Sequence, residues 1–226
     1  MTRRRAALGL AAALTLAGMP GTPIGNAATK NHPTEATTLA AAMTKALGGE
    51  ASVEATGWLR GQGKLTTRYD FRFARPDRER LLRTGGALNM VKIGGRAVST
   101  VEQISVGMDE FRKIGASGWL RSERATAPAA TDALWLNALN QSCCTLASGP
   151  AATTVRLLGS AKYGGKPVYQ LRFRSISSGG ILKTTVLVSK KSFLPLAYTT
   201  MAFPALGTSY MQLRYNGHFT ITSPHS

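Results

Sequence analysis

The chain has 226 residues, with 28 Lys and Arg against 11 Asp and Glu, a formal net charge of +17, and two cysteines. That length suits one domain with a sizeable core, and two cysteines cannot staple a disulfide-rich scaffold. So basic a chain raises nucleic-acid binding, but aromatic-plus-basic clustering of the RNA-binding kind is missing; an anionic membrane surface, a cell-wall polymer or a merely solvated basic face fits the charge instead.

Residues 1–27 read as a secretory signal. Arg3, Arg4 and Arg5 form the basic start, Ala6 to Met19 is an apolar and small-residue run, and Gly25-Asn26-Ala27 is a small-x-small cleavage site. The run is too short to span a bilayer, which takes about 20 apolar residues. An ordinary Sec signal suits these residues better than a twin-arginine one. The first cysteine is Cys143, so no lipid-anchoring cysteine follows the cleavage site. The expectation is an exported, soluble, monomeric protein whose single domain is 28–226.

A polar leader precedes a helix from Thr34 to Leu47, stopped by Gly48-Gly49, with Leu39, Met43, Ala46 and Leu47 on one face. Ala51–Leu59 is a strand. Lys64–Arg75 alternates cleanly: Leu65, Thr67, Tyr69, Phe71 and Phe73 point one way, and Thr66, Arg68, Asp70 and Arg72 the other. Arg80–Thr84 resumes after Pro76-Asp77, and Leu88–Ile93 and Arg96–Val101 flank a Gly94-Gly95 hairpin signal. Glu102–Ile114 reads as helical, Trp119-Leu120-Arg121 as a short strand, and Thr131–Gln141 as a helix with Leu134, Trp135, Ala138 and Leu139 on one side.

The adjacent Cys143 and Cys144 close no long loop; buried thiols, a vicinal ring and an intermolecular bridge all stay open. Thr154–Leu158 and Pro167–Arg174 are strands, and in the second Tyr169, Leu171 and Phe173 alternate with Gln170, Arg172 and Arg174. Ile181–Thr222 reads as four strands, the last two parted by Asn216-Gly217 as a type I′ turn.

Catalytic groups are sparse. His32, His218 and His225 stand at no metal-ligand spacing, Gly115-Ala116-Ser117-Gly118 lacks the nucleophile-elbow pattern, and Gly159–Lys166 fails as a phosphate loop. Glu50, Glu54, Asp70, Glu102, Asp109 and Glu110 show no pairing logic for glycoside chemistry, and Asp132 is the last carboxylate. No enzyme activity and no cofactor or metal is expected.

About eleven strands and three helices make a mainly β chain. So few helices cannot cover so much apolar sheet, so one curved antiparallel sheet is expected, a half-open barrel with the helices as lid or plug. On the inward register Tyr69, Phe71, Phe73, Met90, Tyr169, Leu171, Phe173 and Met211 serve equally as packed core or as the lining of a cavity. Leu39, Met43, Leu65 and Trp135 join them as candidate ligand contacts.

Four motifs in order carry a resemblance: Arg75-Pro76-Asp77 ending a strand, Gly165-Lys166-Pro167-Val168, Leu194-Pro195, and Asn216 through Pro224 closing the chain. In these the chain resembles the LolA-like carriers and, more closely, the LppX/LprG-type lipid-binding proteins of actinobacteria. The resemblance implies a helical lid over a half-barrel that holds lipids, lipoproteins or acylated glycolipids without chemistry. It also allows a sensor module that binds an anti-sigma factor or another envelope partner, while a structural cell-wall protein is a third reading. Arg68, Arg72, Arg172, Arg174, Lys190 and Lys191 would form a basic rim toward anionic head groups, or else a solvated convex face, the reading that suits Arg68 and Arg72 better. The missing anchor cysteine and the cysteine pair depart from the family pattern.

Overall fold

The computed structural model describes residues 33–61, 64–85, 92–93, 96–134, 152–177, 180–203 and 207–224. The signal segment, His32, Met90, Trp135, the cysteine pair and His225 lie outside them, as do residues 135–141 of the expected second helix.

Helix α1 spans Pro33–Gly49. Pro33 opens it with a φ already helical, and Glu35 in the first turn suits the positive end of the helix dipole. At the other end Arg75 donates to the carbonyls of Gly48 and Glu50, capping groups the helix leaves unpaired. Ala36, Met43 and Leu47 form its buried stripe.

Eleven of the thirteen described strands make one antiparallel sheet. In chain order β1 is Ser52–Gly61, β2 Lys64–Ala74, β3 Arg78–Thr84, β4 Lys92–Ile93, β5 Arg96–Ala97, β6 Thr100–Val106 and β7 Asp109–Ile114. Then follow β8 (Leu120–Glu123), β9 (Ala152–Tyr163), β10 (Lys166–Ser177), β11 (Gly180–Ser189), β12 (Pro195–Phe203) and β13 (Gly207–Tyr215). The order across the sheet is β8-β7-β6-β3-β2-β1-β13-β12-β11-β10-β9, so first and last long strands meet in the middle and each half is a meander. The sheet does not close: β8 and β9 are its edges. Register shifts at Leu59/Arg60, Gln170/Leu171 and Leu187/Val188 mark bulges, which add twist and let so wide a sheet curl. β4 and β5 pair only with each other, across the predicted Gly94-Gly95 break, over two residues each.

Three expectations are corrected. Glu102–Ile114 is no helix but the hairpin β6–β7. Gly107 at φ 60 turns it, and its N–H donates to Asp77 O at 3.0 Å. β3 presents an edge that β6 fills residue for residue, and that ladder outweighs the helical propensity of the charged residues. The chain after Asn216-Gly217 forms no strand, because β13 already has β1 and β12 as neighbours and leaves no edge to pair. Asn216 has φ 61, and the tail runs extended over Arg72 and Arg78, where Arg78 Nη1 donates to Ile221 O at 2.8 Å. Among the described residues the helices number one α-helix and a 3-10 turn, Ala130–Leu134, rather than about three.

Candidate ligand-binding wall

Side chains paired across the ladder share a face, so the register sorts the sheet into rows. The inner face is the one that α1 and the 3-10 turn cover: α1 packs along β9, and the turn over β1 and β2. One row runs Tyr69, Gly57, Met211, Tyr198, Val186, Leu171, Leu157 from β2 to β9. Its side chains are buried, and the Tyr198 hydroxyl donates to Ala133 O at 2.9 Å, fastening the 3-10 turn to the wall. Gly57 is obligatory there, since a Cβ would lie 2.0 Å from Tyr210 O and 2.4 Å from Met211 Sδ.

The next row toward the 203–207 end changes character. Thr67, Leu59, Ser209, Thr200, Thr184, Phe173 and Val155 share it. Hydroxyls dominate its middle, with Thr184 Oγ1 and Thr200 Oγ1 3.0 Å apart, while Leu59, Phe173 and Val155 are only partly buried. Leu39 and Ala40 of α1 are partly buried against the same core. Thr67, Ser209 and Thr200 are buried and Thr184 is partly exposed, so the row offers a guest molecule the greasy surface of Leu59, Phe173 and Val155 with one hydroxyl-bearing residue, Thr184, among them.

At the opposite end lies an ionic cluster. Glu79 of β3, 1 % exposed, receives Arg124 Nη1 at 3.3 Å, and the same nitrogen donates to Ser105 Oγ at 3.1 Å. Arg124 Nη2 also stands 3.5 Å from Asp132 Oδ2. Burial pushes Glu79 up to about 7; Arg124 opposes this, and the Asp132 carboxylate adds to it. The cluster ties the 3-10 turn to β3 and β6. It holds two carboxylates, but Arg124 is bound between them and they face structural partners.

The twelve candidate contacts divide on this geometry. Met43, Tyr69, Phe71, Phe73, Leu171 and Met211 are core, between 0 and 4 % exposed. Leu39, Tyr169 and Phe173 are partly buried on the same side. Leu65 lies on β2 with its side chain outside what is described, and Met90 and Trp135 fall outside altogether. Sequence reasoning overlooked Leu59, Val155 and the hydroxyls of β11–β13. The signal was the same alternation: once Met211 and Tyr198 are inward, Ser209 and Thr200 must be too.

The expected basic rim divides: Arg68 and Arg72 lie on the convex face, as preferred for them from the sequence, and Arg172 and Arg174 lie there too, against the rim reading. Arg72 is held by Glu54 at 3.5 Å and Asp70 at 3.3 Å. Lys190 Nζ lies 4.8 Å from the Tyr169 ring centroid, and Lys191 is exposed in the β11–β12 turn. Among the described residues no three His, Cys, Asp or Glu gather as metal ligands, and no helix is long and apolar enough to cross a membrane.

No protein-family model and no curated protein matches the chain. Solved structures do. LppX, a lipoprotein of Mycobacterium tuberculosis, superposes with a TM-score of 0.53 at 11 % identity, covering 84 % of this chain and 99 % of LppX. LprF of Mycobacterium bovis gives 0.52 at 12 %, covering 85 % and 98 %. MucB, at 0.47 and 15 %, covers 84 % of this chain and 63 % of MucB, and fits too loosely to carry an argument. With an open eleven-stranded sheet curled over the one α-helix of the described residues, and with LppX and LprF matched over nearly their whole length, the chain has the LolA-like, LppX-type half-barrel fold.

Proposed function

We propose that this chain is an exported, non-enzymatic binding protein for an acylated molecule, residues 28–226 forming the binding domain after a signal segment ends at Ala27. The observation that carries the reading is the inner-wall row where Leu59, Val155 and Phe173 remain partly exposed beside the Thr184–Thr200 hydroxyl pair. On the inner face of an open sheet, these are apolar groups that a guest molecule can cover further. An acyl chain lies along Leu39, Leu59, Val155 and Phe173, and the partly exposed Thr184 meets its polar end. Met43, Tyr69, Phe71, Leu171 and Met211 act one layer back, as the packed floor. The shared fold with LppX, a lipoprotein by name, agrees with an extracytoplasmic role. The carboxylates of the Glu79 cluster are engaged by Arg124, which ties the 3-10 turn to the sheet.

Native mass spectrometry of the protein exported by its own host tests this. A bound mass that organic extraction removes, and that fragments as an acyl lipid, is expected. A protein that carries no such mass, and takes none up from a total lipid extract, contradicts the reading.

A further inference from the structure

Asp132 is the last carboxylate of the sequence, so β9 to β13 carry cations alone. On the outer face of these strands the ladder sets Arg156 directly opposite Arg172 and Arg174 directly opposite Lys183. Arg172 and Arg174 are two residues apart on β10, so four exposed cations occupy three adjacent strands, a patch about 10 Å across. Like charges facing each other across a ladder oppose folding. Lys183 has a contact of its own within the chain, and Arg156, Arg172 and Arg174 are the cations that charge complementarity matches to an anionic partner. The same rows carry apolar groups. Met201, 46 % exposed, pairs with Lys183, and half-buried Trp58 continues the Arg172 row across β12 and β13. The nearest outer-face carboxylates, Glu54 and Asp70, are taken by Arg72 at 3.5 and 3.3 Å.

We propose that this outer face, centred on Arg156, Arg172 and Arg174, is a docking surface for a bilayer of anionic lipid. A soluble polyanion has no use for Met201 and Trp58, whereas at a bilayer they enter the head-group zone beside the cations. The surface lies on the side of the sheet away from the inner wall, so it acts whether or not that wall holds a ligand.

The test is co-sedimentation of the full mature chain with vesicles of phosphatidylcholine containing one-third phosphatidylglycerol. Binding is expected at low salt, with little to pure phosphatidylcholine, and it should fade in half-molar sodium chloride. The exposed pair Arg172→Ser/Arg174→Ser should weaken binding by about tenfold or more. Lys166→Gln/Lys191→Gln, which removes equal charge at and beside the β9–β10 and β11–β12 turns, the far end of these strands, should leave it within about twofold. Met201→Ser/Trp58→Ala should weaken vesicle binding but not dextran sulfate binding. Four outcomes overturn the proposal: no binding by the unaltered chain, equal binding to neutral vesicles, equal losses in both charge variants, or vesicle binding indifferent to Met201 and Trp58. None reads ligand occupancy, so a failure here leaves the acyl-binding reading intact.

Discussion

Glu79 is buried with its Oε2 lacking a hydrogen-bond partner, and burial lifts it to about 7 from 4.5. Between those values the folded chain holds a proton that the unfolded chain releases, so stability falls as pH rises through this window. We expect the thermal midpoint to drop between pH 5.5 and pH 8, and Glu79→Gln to flatten that slope; an unchanged slope would show that other groups set it. Arg124→Ala should cost about 3 kcal/mol at pH 8, where it strands an ionised carboxylate, and less at pH 5.5. Tyr215 illustrates the opposite case. Burial, with Glu50 nearby, raises its hydroxyl above the phenol range, where it stays a donor to Pro195 O at every working pH.

Among the elements, β1 and α1 concentrate the consequences. Gly57→Ala drives a Cβ into Tyr210 O and Met211 at the seam where the two meanders join, so urea unfolding should show a loss of roughly 3 kcal/mol. Leu47→Ala, at a fully buried position of α1, should cost about 3 kcal/mol by the cavity it leaves. β2 was legible residue by residue, because Thr67, Tyr69, Phe71 and Phe73 are buried while Arg68 and its neighbours are not. One-sided burial writes period two directly into a strand. β6 and β7 were not legible, since both their faces mix polar and apolar residues; Arg80 meets Glu102 at 2.8 Å and Gln103 meets Glu110 at 3.0 Å across strands. The tail beyond Asn216 misled for another reason. A turn signal is local, but a strand needs a free edge, and the meeting of β1 with β13 removed it.

At the scale of the whole molecule, the one α-helix and the 3-10 turn among the described residues cannot cover eleven strands, so the sheet curls and stays open, as the strand and helix pattern of the sequence implied. What composition did not reveal is the division of the inner face into a packed floor and a partly exposed, hydroxyl-bearing row, which depends on register. Nor did it place the cations. Several expected at a rim stand on the outer face, where Arg156 and Arg172 repel each other. Arg172→Thr should therefore raise the thermal midpoint slightly at low salt, an advantage that added salt removes.

The most direct measurement of the acyl-binding account is titration of lipid-stripped protein with a fluorescent fatty acid, comparing the unaltered chain with Phe173→Arg and with Leu120→Arg, an exposed position on the β8 edge. Saturable binding that Phe173→Arg weakens by about tenfold or more, and Leu120→Arg leaves alone, is the predicted result. Binding that is absent, or equal in all three proteins, would contradict it.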